Sequence, residues 1–306
     1  MLRRIKDLKM PDKQENIPMV SFYKGEKLKH EFEVLWLEDL FARQNELPFR
    51  LDQPCRVNFY HLVFITKGSG RHWIDFEPYN IRKGSLLFIC QGQVHSFEPK
   101  PELGGIMLLF TEAFLQENMI HSDLLAYYRL YNYHLHSPVL QPVDTGGDVF
   151  QNIFQEIFKE FKAPDDFAKP EVLRSLLKLL LLKAERIKRT LVSGVEKSDW
   201  FIKFSEFRAF LENRFTQTRN AHDYARELGV SYKHLNRICK AVSGCTAKRF
   251  IDNYVVLEIK RRLATSSISV KELTYELGFD EPTNLVKYFK KHALVSPSHF
   301  RRDLVK

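Results

Sequence analysis

Leu228-Gly229-Val230-Ser231 recurs as Leu277-Gly278-Phe279-Asp280, a shift of 49 residues. After one inserted residue the match continues at a shift of 50: Leu235 answers to Leu285, Lys240 to Lys290, Thr246 to Ser296 and Phe250 to Phe300. Each copy reads as a short helix, a Gly turn, a second helix with basic residues on its open face, and a stop. That order is a helix-turn-helix. Two copies in one basic segment predict an all-α domain that grips double-stranded DNA at two places.

The first copy can be read residue by residue. Asn220 can cap the opening helix, with Asp223 in its first turn. Ala225 and Leu228 face inward, Gly229 supplies the tight turn, Val230 plugs the corner and Ser231 caps the next helix. On that helix Leu235, Ile238 and Val242 are spaced for the core, which leaves Lys233, Asn236, Arg237 and Lys240 on the opposite face. Arg suits the acceptors on guanine and Asn suits adenine, while Lys240 is placed for phosphate. The competing meaning of such a run is a solvated helix face; its place on the second helix of a complete motif favours DNA.

In the second copy Ser269-Val270-Lys271-Glu272 is a capping box, and Pro282 is tolerated in a first turn. Leu285 and Phe289 look inward, and Thr283, Asn284, Lys287 and Lys290 look outward. Glu281 sits near the expected phosphate, and Leu294 stands where the first copy has Gly244, so this copy is expected to bind less well. Between the copies, Thr246 to Thr265 reads as one helix of about 20 residues, roughly 30 Å long.

Charge points the same way. From Trp200 onward there are 20 Lys/Arg against 11 Asp/Glu, which accounts for the whole net charge of +9 and leaves residues 1–199 neutral. Phosphate neutralisation is the expected use of such an excess. The N-terminus has no apolar signal region and no run is long enough to cross a bilayer, so a cytoplasmic protein without a membrane partner is expected. Cys55, Cys90, Cys239 and Cys245 form no CxxC pair and read as reduced thiols.

Residues 1–30 are polar and charged and read as a loose arm. From Phe32 to Ile120 the texture is β: Val57 to Thr66, Arg71 to Phe76 (ended by Glu77-Pro78-Tyr79-Asn80), Leu86 to Cys90 and Ile106 to Phe110. Short strands at this spacing argue a sandwich or barrel. Phe150 to Phe161 then shows helical period, Pro164 ends that helix, and a second carries Leu173, Leu176, Leu177, Leu180, Ala184, Ile187 and Leu191 on one stripe. Leu179, Leu181 and Leu182 widen the stripe, which predicts two partners for this helix: the barrel and a second copy of the chain, a homodimer. Residues 192–199 read as a linker.

The pattern Ala225-Arg226-Glu227-Leu228-Gly229-Val230-Ser231, then Glu276-Leu277-Gly278-Phe279-Asp280, Phe289-Lys290-Lys291 and Ser296-Pro297-Ser298-His299-Phe300-Arg301 resembles the AraC/XylS regulators over about 200–306. The resemblance implies base contacts at Ser231, Lys233, Asn236, Arg237, Thr283, Asn284 and Lys287. Thr274 departs from it where a small Ala is usual. Further forward, Gly68 to Phe76, Gly84 to Ile89 and Gly92 to Phe97 resemble the cupin sensor domain common in that family, which implies a barrel holding a small molecule and helices that pair two subunits.

The expected fold is therefore α+β in two domains: a cupin-like β-barrel with packing helices over 31–191 and a tandem helix-turn-helix over 200–306. The expected function is a transcription regulator of the AraC type modulated by a small-molecule effector, with RNA polymerase a further partner if it activates. His72, Trp73 and His95 are the candidate ligand residues. Alternation puts His72, Ile74 and Phe76 on one face of a strand and Arg71, Trp73 and Asp75 on the other, without deciding which faces inward. No cofactor, metal or catalytic residue is expected, because the His-x-His of metal cupins is broken here as His72-x-Ile74 and leaves only His72, Glu77 and His95. A cupin metalloenzyme with a DNA-binding tail and a ligand-independent regulator are the alternatives. A methyl-acceptor repair protein with the same module would need clustered cysteines, which Cys55 and Cys90 do not supply.

Overall fold

The computed structural model describes residues 19–20, 31–47, 50–117, 130, 137–145, 149–191 and 198–304, and it forms two compact units. The first holds strands β1 (Met19–Val20), β2 (Phe32–Trp36), β3 (Cys55–Val57), β4 (Tyr60–Lys67), β5 (Ser69–Ile74), β6 (Glu77–Arg82), β7 (Leu86–Ile89), β8 (Val94–Phe97), β9 (Gly104–Phe110) and β10 (Val139–Leu140). Its helices are α1 (Leu37–Ala42), α2 (Glu112–Gln116), α3 (Pro142–Thr145), α4 (Val149–Lys162) and α5 (Lys169–Leu191). One sheet runs β1-β3-β8-β5-β6 and the other β10-β7-β4-β9-β2.

Strand β4 shows how the layers are built. Val63 and Ile65 point to one side, where Leu87, Ile89, Met107, Ile74, Ile81 and Phe97 close a core between the sheets. Tyr60, Leu62 and Phe64 point to the other, where Phe150, Phe154 and Ile157 of α4 and Leu173, Leu177 and Leu180 of α5 cover them. Strand β4 thus reads as a continuous apolar run because both of its faces are covered.

The expected run Val57 to Thr66 is broken at residues 58–59, where the chain leaves one sheet for the other. The tetrapeptide Glu77-Pro78-Tyr79-Asn80, expected as a turn, is part of β6. The turn is Asp75-Phe76 instead, with φ of 51° and 72°. Both values suit the tight hairpin that Gly or Asn usually supplies. Here the Asp75 carboxylate is held from outside, accepting from Gln93 Nε2 at 2.7 Å and from the Val94 amide at 3.2 Å. Pro78 is tolerated because β6 is an edge strand. The arm 1–30 contributes Met19–Val20, paired parallel to β3; the rest of it lies outside the described residues.

The second unit is all-α: α6 (Ser198–Arg214), α7 (Ala221–Glu227), α8 (Tyr232–Ser243), α9 (Ala247–Thr265), α10 (Val270–Glu276), α11 (Pro282–Ala293) and α12 (Pro297–Asp303). Helix α6 takes in Ser198 and Asp199, the last two residues of the expected linker; 192–197 lie outside the described residues. The two copies match in length, seven residues for α7 and α10 and twelve for α8 and α11.

Both motif turns are built alike. The Val230 amide donates to the Ala225 carbonyl and the Gly229 amide to that of Arg226; in the second copy Phe279 donates to Thr274 and Gly278 to Tyr275. This is the helix-ending motif that places a left-handed Gly just past the helix. Thr274, where a small Ala is usual, is fully buried, and its hydroxyl donates to the Val270 carbonyl at 2.7 Å, so the extra polar atom is satisfied.

Three left-handed positions differ in what surrounds them. Gly229 at φ 64° has open space where a Cβ would stand, whereas a Cβ on Gly278 would lie 1.7 Å from the Thr216 carbonyl oxygen. Leu294 ends α11 at φ 63°, as Gly244 ends α8 at φ 70°, and Leu294 is 84% exposed. Gly229→Ala should therefore cost about 1–2 kcal/mol, the strain of the backbone alone. Gly278→Ala should cost clearly more, because a carbonyl must also move. Leu294→Gly should stabilise by about 0.5–1 kcal/mol. Urea unfolding of the helical unit, measured for all three variants, tests the order.

Candidate nucleic-acid interface and barrel cluster

Helix α8 starts at Ser231, whose hydroxyl accepts from the His234 amide at 3.1 Å. Leu235, Ile238 and Cys239 are fully buried beneath it. Lys233, Arg237 and Lys240 are exposed on the far face. Helix α11 repeats this over buried Leu285 and Phe289, with Thr283, Asn284, Lys287 and Lys290 exposed. Its N-cap, Glu281, makes no capping hydrogen bond; its carboxylate accepts from the Thr283 hydroxyl at 3.1 Å.

Two expected contact residues are already engaged within the unit. Ser231 spends its side chain on the helix cap. Asn236 is half-buried, and its Oδ1 accepts from the Ala247 amide at 3.0 Å, which satisfies an orphan donor at the start of α9. The geometry gives the Asn236 side-chain oxygen a role in joining α8 to α9.

The exposed cations behave differently. Among the described residues the side chains of Lys233, Arg237, Lys240, Lys287 and Lys290 form no ion pair or hydrogen bond. Arg214, Arg226 and Arg262 are paired with Glu227, Asp223 and Glu276. Arg219 and Arg301 donate to backbone carbonyls. Positive charge left without an internal carboxylate partner, on one face of each recognition helix, is what a phosphate-lined groove can take up.

The two copies are locked together. Arg219, between α6 and α7, donates from Nη1 to the Leu277 carbonyl at 2.8 Å and from Nη2 to that of Gly278 at 2.6 Å. Its guanidinium carbon lies 3.8 Å from the centre of the Phe279 ring. A cation there satisfies the carbonyls just past the end of α10 and sits at the negative end of its dipole. Asp252 of α9 accepts from the Tyr288 hydroxyl of α11 at 2.7 Å. Burial and this carboxylate together push the Tyr288 hydroxyl pKa well up.

In the first unit, β5 turns His72 and Ile74 inward and leaves Trp73 outside, with Arg71 5.3 Å from its ring centre. The structure thus brings His72 and His95 together, rings 5.2 Å apart, and leaves Trp73 on the opposite face. His61 of β4 completes the cluster, 4.8 Å from His95. Sequence reasoning missed it because it lies inside an unbroken apolar run. Phe59 stacks on His61, and Phe97 lies edge-on to His72 and His95. Glu77, the carboxylate read with the histidines, is exposed on β6. Among the described residues no three His, Cys, Asp or Glu side chains are arranged to hold a metal ion.

Neither ring nitrogen of His72 or His95 has a hydrogen-bond partner among the described residues. Burial drives the imidazole pKa values down, well below 6.5 for His61 and His72 and to about 4 for His95, where Asp75 opposes the shift. All three are neutral in the fold at pH 7. Below 6.5 the unfolded chain takes up protons that the fold refuses, so their contribution is intact above pH 6.5 and lost as pH falls toward 4. The stability of this unit should decline from pH 7 to pH 5 with a slope approaching about 1.4 kcal/mol per pH unit for each such histidine. His95→Leu should lessen that slope, and thermal unfolding at a series of pH values reads it.

Comparison with known proteins agrees with this architecture. A family model described as an AraC-like ligand-binding domain matches residues 52–181, and one described as a helix-turn-helix domain matches residues 224–303. The chain is 24% identical over 247 residues to the HTH-type transcriptional activator RhaS of Salmonella typhimurium, covering 80% of this chain and 86% of RhaS. RhaS of Salmonella agona is equally similar, 24% identical over 247 residues with the same coverage. Among solved structures, ToxT from Vibrio cholerae aligns with a TM-score of 0.46 at 14% identity, covering 89% of this chain and 98% of ToxT. No helix among the described residues is long and apolar enough to cross a membrane. With an AraC-like ligand-binding domain followed by a double helix-turn-helix, the chain belongs to the AraC/XylS family of transcription regulators.

Proposed function

We propose that the chain activates transcription by binding specific sites in double-stranded DNA through residues 200–306, under the control of a small molecule held by residues 31–191. The observation that carries this reading is the set of unpaired cations on α8 and α11. Lys233 and Arg237 face base edges and Lys240 a phosphate, with Thr283, Asn284, Lys287 and Lys290 as their weaker counterparts. Ser231 and Asn236 support the helix that presents them. The effector enters between the sheets and offers hydrogen-bonding groups to His72 and His95. Its binding favours one arrangement of two DNA-binding halves, a population shift. RNA polymerase is the partner through which an activator would act, and no catalytic step is required.

Arg237→Ala should cost about 1–3 kcal/mol at the preferred site and relax selection at one base pair. Lys240→Ala should weaken all sequences alike and flatten the salt dependence. Lys287→Ala should remove less discrimination than Arg237→Ala. Selection of sites from a random DNA library by the full chain and these variants tests the reading; an Arg237→Ala protein with an unchanged site preference overturns it.

We place the homodimer contact on α5, on the residues that widen its stripe rather than on the stripe's centre. Leu173, Leu177 and Leu180 are core residues covered by the sheet. Val172, Leu179 and Leu182 remain 40–43% exposed on the helix's other side. Leu179→Lys with Leu182→Lys should convert a dimer to a monomer in sedimentation of the full chain at micromolar concentration, with thermal stability little changed. A wild-type chain that sediments as a monomer there rules the dimer out.

A further inference from the structure

Arg237 stands apart from the other cations of its face in one respect: an aromatic ring holds it. Trp200, the third residue of α6 and half-buried, places its indole against the open side of α8. The His234 ring meets it edge-on, centroids 5.8 Å apart at 88°. The Arg237 guanidinium carbon lies 5.4 Å from the indole centre. His234 and Arg237 are three residues apart, so the indole spans one turn of the recognition helix. Leu235 and Ile238, which lie between and beyond them in sequence, are buried beneath, so the turn cannot rotate away from the ring.

We infer that Trp200 is a positioning residue for base reading, holding the Arg237 side chain extended and ordered before DNA arrives. The inference rests on the proposed reading of DNA by α8. An arginine side chain has many rotamers, and fixing them on binding opposes affinity. A carboxylate partner would order the chain but would also occupy the donors that a guanine needs. An aromatic face orders the guanidinium by its π surface and leaves its five N–H donors free. Among the described residues Arg237 makes no hydrogen bond or ion pair. Trp200 therefore restricts Arg237 without satisfying it. Trp200 lies in the first turn of α6, so the recognition helix is in contact with the first described helix of its own unit.

The test uses the full chain and a site selected by the wild-type protein from a random DNA library. Trp200→Ala should weaken binding to that site by about three- to tenfold, the scale set by ordering one long side chain. The loss should fall on the same base pair that Arg237→Ala relaxes, with the other positions unchanged. Trp200→Phe should restore most of the preference and Trp200→Leu should not. In an Arg237→Ala background Trp200→Ala should have no further effect on that base pair, a non-additivity that a merely structural role would not produce. Equal losses in both backgrounds, or at every position of the site, overturn the inference. So does tighter binding by Trp200→Ala, which would mean that the ring withholds the arginine. If Trp200→Ala does not fold, the Phe and Leu variants carry the same comparison. A wild-type chain that selects no sequence defeats the DNA reading and this inference together. A selective chain indifferent to Trp200 defeats this one alone.

Discussion

Arg219 joins the two helix-turn-helix copies, and the geometry of the whole helical unit depends on it. Its two hydrogen bonds end α10, and its planar group covers Phe279, the residue that plugs the second motif's corner. Gly278 makes this possible by letting the Thr216 carbonyl approach to where a side chain would otherwise stand. Such a junction gives a short helix of seven residues the partners that its own hydrogen bonds lack. The second copy is thus stabilised from outside, through the segment that precedes the first. Asp252 and Tyr288 repeat the connection from the long helix α9.

The sensor unit reaches order by a different route. One of its sheets is covered on both faces, by the other sheet and by α4 and α5. Apolar contact supplies that packing almost everywhere. The exception is the group of imidazoles between the sheets, polar and buried. The ring nitrogens of His72 and His95 are buried without hydrogen-bond partners among the described residues, which is rare enough in folded proteins to ask for an explanation. The rings of Phe59 and Phe97 enclose them.

What could be read from sequence divides along a physical line. The double motif was legible because its determinants are local: caps at Asn220, Ser231 and Ser269, glycines at 229 and 278, and core spacing within each helix. The helix over α9 and the two helices behind the sheet were legible from their period. The Asp75-Phe76 hairpin was not, since Phe76 does not favour a left-handed backbone and the support comes from Gln93 and Val94 across the sheet. Strand β6 was hidden by Pro78, harmless only because that strand lies at an edge. In the candidate site, exposure of Lys233, Arg237, Lys240, Lys287 and Lys290 followed from helical spacing. The hydrogen bond of Asn236 did not, because its partner is the Ala247 amide across the motif's end. His61 and Trp200 were silent for the same reason: each acquires meaning only from a ring that another element brings beside it.

A rigid pair of reading heads has a consequence for the DNA. One base pair inserted between two half-sites turns the second by about 34° and moves it by about 3.4 Å, since one turn holds about 10.5 base pairs. Arg219 and the Thr216 contact tie the heads together against such a displacement. For a protein that engages both heads, the duplex itself must curve or twist to meet them, at about 1–6 kcal/mol depending on its sequence. Flexible pyrimidine–purine steps between the half-sites lower that cost and stiff tracts raise it. Bases that no side chain touches would then help to decide where this protein binds.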